Sequence, residues 1–479
     1  MTFSTLTFAI FTGLVFAGYW RLQPRRRAQN LLVVVASCVF YAWWDLRFLG
    51  LMVGTALTDF LFGKHIAQSL VPRHRRAFLA ASILVNLGVL GLFKYFNFFA
   101  ESFAVLAHAL GVSVSEVHLK LVLPIGISFY TFQSMSYTID VYRRDIEAIR
   151  SPLDFLAYVT FFPQLVAGPI ERSSNLIPQF LRERSFDPAV AQDGLRQVLW
   201  GLFKKMVVAD NAALLADWGY SRTGGAEILV GTLAFAFQIY FDFSAYSDIA
   251  SGTAKLFGFK LMRNFAYPYF SLSVGEFWRR WHISLSTWFR DYLYIPLGGS
   301  RVAPARRATN VLATFILSGL WHGASWNFVA WGALNGIGLL MCPGNATPRS
   351  NASATPGLFP SPRQCVRMAA TFAFISLTWI FFRSPTLEAS VSGLRSIAVE
   401  ATSRQAWAAT ANLLLLDHPM TVFWIASALA IEWLSRFKEH PLAGIGSAGP
   451  IRWAIYTIVV WSCIYYRVPA SSQFIYFQF

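Results

Sequence analysis

Charge is what this sequence has least of. Only 13% of its 479 residues are Asp, Glu, Lys or Arg, against about 25% in a soluble domain, which excludes an ordinary water-soluble enzyme. Cysteine is scarce as well. Cys38, Cys342, Cys365 and Cys463 are scattered, with no C-x-x-C and no metal spacing; three lie in or beside apolar runs and are expected to be small buried hydrophobes. No H-E-x-x-H pattern occurs among the eight histidines, so no metal site is expected. A P-loop is missing, as is a G-x-G-x-x-G after a strand, and ATP or dinucleotide chemistry has no support. No internal repeat is visible, which weakens a transporter reading.

What is present is apolar: 55% of residues are hydrophobic and 16% aromatic. The formal charge of +16 comes from Lys and Arg in short clusters between apolar runs, as membrane topology requires. A nucleic-acid reader would gather them on a soluble face, so no nucleic-acid partner is expected. The partner implied by composition is the lipid bilayer.

A span needs about 20 mostly apolar residues. Residues 4–20 have no basic residue before them and RLQPRRR after them, the reverse of a signal peptide's charge order. They read as an uncleaved first helix with its N-terminus outside the cytoplasm. Further crossings are expected at 30–44, 49–62, 77–99 and 119–141. These alternate between basic ends (Arg21 to Arg27; Lys64 to Arg76; Arg143 to Arg150) and ends poor in Lys and Arg. Residues 153–166 read as a short or broken helix, 175–197 as interfacial, and 198–218 as tilted or partly lateral. Later spans are expected at 226–250, 365–382, 413–434 and 451–466, flanking a Pro/Ser/Asn-rich loop whose two N-x-S/T sequons are read as fortuitous. The fold class is an all-α polytopic membrane protein of roughly eleven transmembrane helices, with re-entrant and interfacial helices besides.

Polar groups inside such runs are the candidate site. His322 stands between two apolar runs in "VLATFILSGLWHGASWNFVAWG", and titratable groups within a membrane are functional candidates by default; the bland alternative is a packed, hydrogen-bonded histidine. In "QIYFDFSAYSDIA", Gln238, Asp242 and Tyr246 form one helical stripe while Asp248 points elsewhere. They could line a cavity or fix packing. Arg279, Arg280 and Arg290 are the nearest candidates in sequence to pair with the aspartates. The segment 275–299 mixes Trp278, Trp281, Trp288, three arginines and His282. It is too charged for plain lipid, so it is either interfacial or re-entrant and cavity-lining. In the second case its arginines could contact the phosphates of an acyl donor.

The stretches "WRRWHISLSTWFRDYLYIPLGGSR", "QIYFDFSAYSD", "GISFYTFQSMSYTIDVYR", "FFPQLVAGPIER", "LSGLWHGASWNFVAWG", "WIFFR" and "FIYFQF" together resemble the membrane-bound O-acyltransferase family. More narrowly they are similar to its bacterial alginate O-acetylase branch, and also to the D-alanyl transfer protein of teichoic acid synthesis. The resemblance runs from the N-terminal helices to Phe479. It implies one domain over 1–479: N-terminal helices 1–150, a catalytic core with the re-entrant segment 151–341, a loop 342–364 and C-terminal helices 365–479. It also implies a ring of helices around a central tunnel joining a cytoplasmic donor to an outer acceptor.

By the same resemblance, His322 corresponds to the family's catalytic histidine and His282 to its second polar site residue. Arg279, Arg280, Arg290 and Trp281 would contact the donor. Gln238, Asp242, Tyr246, Asp248, Trp321 and Asn335 would be cavity-lining or structural. Ala245, Ser300 and Asn335 depart from the family pattern as Gly, Asn and His respectively; Asn335 removes a second candidate base. The implied activity is acetyl transfer across the bacterial inner membrane for O-acetylation of an exported polysaccharide, alginate first. Bacterial cellulose, another exopolysaccharide or non-catalytic polymer transport are the alternatives. No cofactor is held permanently; acetyl-CoA is the expected donor, with a carrier protein as the other option, and periplasmic acetyltransferases the expected partners. His322 would serve as general base or carry the acetyl group covalently.

The charge alternation makes one prediction. Alkaline phosphatase fused after Gly111 is expected to be active, and after Arg76 inactive; the reverse pattern would overturn the orientation.

Overall fold

A computed structural model describes residues 1–115, 117–166, 168–342, 359–445, 449–468 and 474–475. The sequons at Asn345 and Asn351, most of the expected loop 342–364 and most of the terminal FIYFQF motif lie outside the described residues. Among the described residues the protein is all-helical, without a strand. The chain forms two compact units, one of residues 1–195 and 250–262, the other of residues 196–249 and 263–479.

The first unit contains α1 (Leu6–Arg21), α2 (Arg26–Ala42), α3 (Leu46–Gln68), α4 (Pro72–Leu90), α5 (Phe96–Ala109), α6 (Ile127–Arg143), α7 (Pro152–Thr160), α8 (Ser173–Leu181) and the start of α9 (Pro188–Phe203). A π-helical turn at Gly91–Tyr95 joins α4 to α5. On α1 large apolar residues face outward: Leu6, Ile10 and Leu14 are 76%, 56% and 71% exposed. Such a surface is stable against lipid and unfavourable against water. Polar groups face inward instead. Asp59 of α3 is buried and accepts hydrogen bonds from Ser82, Asn86 and Ser134, so its carboxylate is met by protein donors rather than hydrocarbon. The span expected at 119–141 is helical only from Ile127, because Pro124 and Gly126 (φ 76°) turn the chain immediately before it.

The second unit contains the rest of α9, a π-helical turn (Lys204–Ala209), α10 (Asp210–Tyr220), most of α11 (Gly225–Leu256), α12 (Val274–Arg280), α13 (Ile283–Phe289), α14 (Pro304–His322), α15 (Trp326–Met341), α16 (Pro362–Arg383), α17 (Leu387–Glu400), α18 (Arg404–Asp417), α19 (Pro419–Leu434) and α20 (Gly449–Tyr465). The single crossing expected at 413–434 is two helices, broken where Pro419 starts α19. Of the cysteines only Cys463 is buried; Cys342 and Cys365 sit at helix ends and are exposed, contrary to the expectation of small buried hydrophobes.

Four helices are long and apolar enough to cross a membrane among the described residues: Leu46–Gln68, Pro72–Ala109, Gly225–Leu256 and Pro362–Arg383. A bent pair, Arg404–Leu414 with Pro419–Leu434, would make a fifth. This is a multi-pass membrane protein, although length and composition alone do not reach eleven crossings. Some expected spans are short, such as the 16-residue α1, and others are broken.

The helical hairpin α14–α15 places His322 at its turn. Its two helices approach until backbones touch. A Cβ on Gly319 would lie 2.1 Å from the Phe328 carbonyl oxygen, and one on Gly332 would lie 2.3 Å from that of Phe315. Only glycine fits at both. Gly332→Val is therefore expected to cost about 1–3 kcal/mol from overpacking, read as a lower melting temperature in detergent. Unchanged melting would contradict the close approach.

Candidate active site

His322 is the last residue of α14, and Gly323 releases the chain into extended backbone before Ser325 caps α15. The imidazole is buried, with ring centroids of Trp321, Trp331 and Phe382 at 5.1, 5.2 and 5.4 Å. His282 reaches the same place from another element. It divides the segment 275–299, separating α12 from α13 in a left-handed conformation (φ 41°, ψ 55°). That conformation strains a non-glycine residue by about 1–3 kcal/mol. The break is held by the irregular segment 264–266: the Ala266 amide donates to the Arg280 carbonyl at 2.9 Å, and the Ile283 amide to the Asn264 carbonyl at 2.9 Å. The centroids of His282 and His322 are 6.5 Å apart, so one reacting group could meet both.

Both histidines line a cavity of about 620 Å³, the size of a small-molecule pocket. Trp281, Arg279 and Arg290 line it too, joined by Arg307, Thr314 and Ser318. All three arginines are exposed while both histidines are buried, so the cavity runs from charged to enclosed. Arg290 is also paired with its neighbour Asp291 at 2.7 Å. The Trp278 indole N–H is buried in the lining with no hydrogen-bond acceptor among the described residues. His282 lies outside the apolar spans, and burial pushes its imidazole down to about 3, which leaves it neutral at cellular pH.

The other predicted residues lie elsewhere. Arg280 is bound to Glu276 at 2.6 Å, one helical turn away, and does not line the cavity. Among the described residues the aspartates of α11 are partnered by lysines rather than arginines. Lys205 reaches Asp242 at 2.6 Å and Asp210 at 2.9 Å, and Lys204 reaches Asp248 at 2.6 Å. The two lysines are consecutive on the π-helical turn, which supplies cations to α11, while Arg279 and Arg290 line the cavity and Arg280 pairs with Glu276. Tyr246 packs its ring 4.9 Å from Phe474. Asn335 donates to the Trp331 carbonyl and to Thr378. Neither these residues nor Gln238 and Trp321 are in the cavity lining, and the described residues contain no cluster fit to hold a metal ion.

Sequence reasoning missed Arg307 and Asn264. Arg307, beside Arg306, looks like another topogenic basic pair; Asn264 sits in an irregular segment where periodicity says nothing.

The family model described as "MBOAT, membrane-bound O-acyltransferase family" matches residues 141–345, which include both histidines and every arginine of the cavity. A protein named probable alginate O-acetylase AlgI from Azotobacter vinelandii is 40% identical over 391 residues, covering 81% of this chain and 76% of its own. The chain belongs to the membrane-bound O-acyltransferase family. Another relative, a peptidoglycan O-acetyltransferase from Helicobacter pylori, is 35% identical over 414 residues, 80% of this chain and 76% of that one. A teichoic acid D-alanyltransferase from Streptococcus thermophilus is more distant, 30% identical over 45% of this chain and 56% of its own. This membrane-bound O-acyltransferase is thus an enzyme that transfers acyl groups to oxygen.

The Lys205 network predicts a stability effect separate from catalysis. Lys205→Met leaves Asp242 and Asp210 buried without their cation, costing about 3–5 kcal/mol. Reduced membrane levels and melting temperature are expected; normal levels and melting would contradict the pairing.

Proposed function

We propose that this protein passes acetyl groups from a cytoplasmic thioester donor across the bacterial inner membrane for O-acetylation of an exported polysaccharide, alginate first among the candidates. The observation that carries this reading is the cavity itself. Two buried histidines share it with three exposed arginines, in a chain 40% identical to a probable alginate O-acetylase. A peptidoglycan O-acetyltransferase at 35% identity makes peptidoglycan the second acceptor to consider.

The residues suit the chemistry. The donor is acetyl-CoA or an acylated carrier, and guanidinium groups at Arg279, Arg290 and Arg307 suit its phosphates. At the enclosed end a hydroxyl of the acceptor attacks the thioester carbonyl while His322 removes its proton. The new C–O bond forms, and the carbonyl oxygen becomes an oxyanion that the Trp278 indole N–H can stabilise. Collapse breaks the C–S bond, and the proton held on His322 passes to the departing thiolate. The products are an O-acetyl ester and a free thiol. Periplasmic acetyltransferases would then complete delivery to the polymer.

The test is the O-acetyl content of secreted polysaccharide, read by NMR from cells carrying wild type, a deletion, or His322→Ala at matched membrane levels. Loss in both altered strains is expected, with a deficit of at least about 100-fold in the mutant. Normal acetylation in the His322→Ala strain would remove His322 from the chemistry, and loss of the polymer itself on deletion would favour export over acylation.

A further inference from the structure

The Nδ1 side of His282 is held by a partner whose identity determines what Nε2 can do. Its Nδ1 lies 3.1 Å from Oδ1 of Asn264. The same oxygen faces the backbone N–H of Ser284 at 3.3 Å and the Ser284 hydroxyl at 3.0 Å. A backbone N–H can only donate, so the atom it meets must be the amide oxygen rather than the amide nitrogen. The nitrogen, Nδ2, is correspondingly placed to donate to Ser247 Oγ at 3.2 Å. With the amide orientation fixed by the Ser284 backbone N–H, Nδ1 of His282 faces an acceptor at 3.1 Å and carries the proton; the Ser284 hydroxyl, 3.5 Å from the same nitrogen, makes its shorter contact with that oxygen.

Asn264, His282, Ser284 and Ser247 are all buried, so water does not compete for these bonds. The backbone reinforces the arrangement, because the Asn264 carbonyl also receives the Ile283 amide. One residue therefore holds both the strained break in the helix and the ring that projects from it.

We infer that Asn264 is a positioning residue that locks His282 as the Nδ1–H tautomer, leaving Nε2 as a hydrogen-bond acceptor in the acyl-transfer cavity. This rests on the reading of that cavity as the acyl-transfer site. It divides the labour between the two histidines. A neutral ring with its lone pair on Nε2 cannot donate to an oxyanion. It can accept a hydrogen bond from a second hydroxyl of the acceptor and so orient the sugar, while His322 takes the proton of the attacking hydroxyl. Oxyanion stabilisation then falls to a donor such as the Trp278 indole.

The test is ¹⁵N NMR of the full-length protein with ¹⁵N-histidine, the His282 signal being assigned by its absence in His282→Gln. A protonated Nδ1 with an unprotonated Nε2 supports the inference; a protonated Nε2 overturns it. Activity provides a second readout, as O-acetyl content of secreted polysaccharide at matched membrane levels. Asn264→Leu, isosteric but without an acceptor, is expected to lose about 10–100-fold, and Asn264→Asp, which restores an acceptor oxygen, to recover most of it. Full activity in Asn264→Leu with inactive His282→Gln overturns the positioning role alone. Full activity in His282→Gln instead sinks the reading of His282 as a site residue. Where the Asn264 variants do not accumulate, the wild-type spectrum decides.

Discussion

A charged or hydrogen-bonding group in a hydrocarbon layer has no water to fall back on, and each must find its partner within the protein. This constraint sorts the polar residues of this chain into two groups. One group is satisfied within the protein: Asp59 by three neutral donors, Asp242 and Asp248 by consecutive lysines. These networks fix packing, and breaking one member strands another. The other group faces the cavity. There two histidines, an indole N–H and three arginines are gathered without being consumed by one another in the manner of the Lys205 network.

The cavity's gradient follows from how its walls are made. Glycines let α14 and α15 approach to backbone contact, which brings His322 to a tight turn among aromatic rings. The opposite wall is a pair of short helices, α12 and α13, interrupted at His282 and strapped to segment 264–266. Neither short helix could persist alone; both depend on tertiary packing. A strained residue at the break is kept because its surroundings over-determine it. Arginines at the exposed end and enclosed imidazoles at the other suit a substrate with an anionic tail and a neutral reactive head.

Much of this was legible in the sequence because membrane proteins write their constraints in composition. The all-helical class followed from the apolar runs. His322 stood out because a titratable residue between two such runs is rare, and the segment 275–299 because its tryptophans and arginines could not face lipid. What composition hid was direction. Arg280 and Arg279 are adjacent, yet Arg280 closes on Glu276 while Arg279 lines the cavity. The partners of Asp242 and Asp248 are lysines some 40 residues upstream rather than the nearby arginines, since a π-helical turn presents both to α11. Asn264 carried no signal, because a lone asparagine in an irregular segment acquires meaning only from the atoms its amide meets.

In the proposed reading one cavity binds the acyl donor by its anionic end and holds the thioester between the two histidines. The most direct measurement is a cryo-EM structure of the protein with a non-transferable thioether analogue of acetyl-CoA. Phosphate density is expected against Arg279, Arg290 and Arg307, with the carbonyl mimic between His282 and His322. Analogue density at full occupancy outside this cavity, with the histidines still packed among their aromatic neighbours, would contradict it.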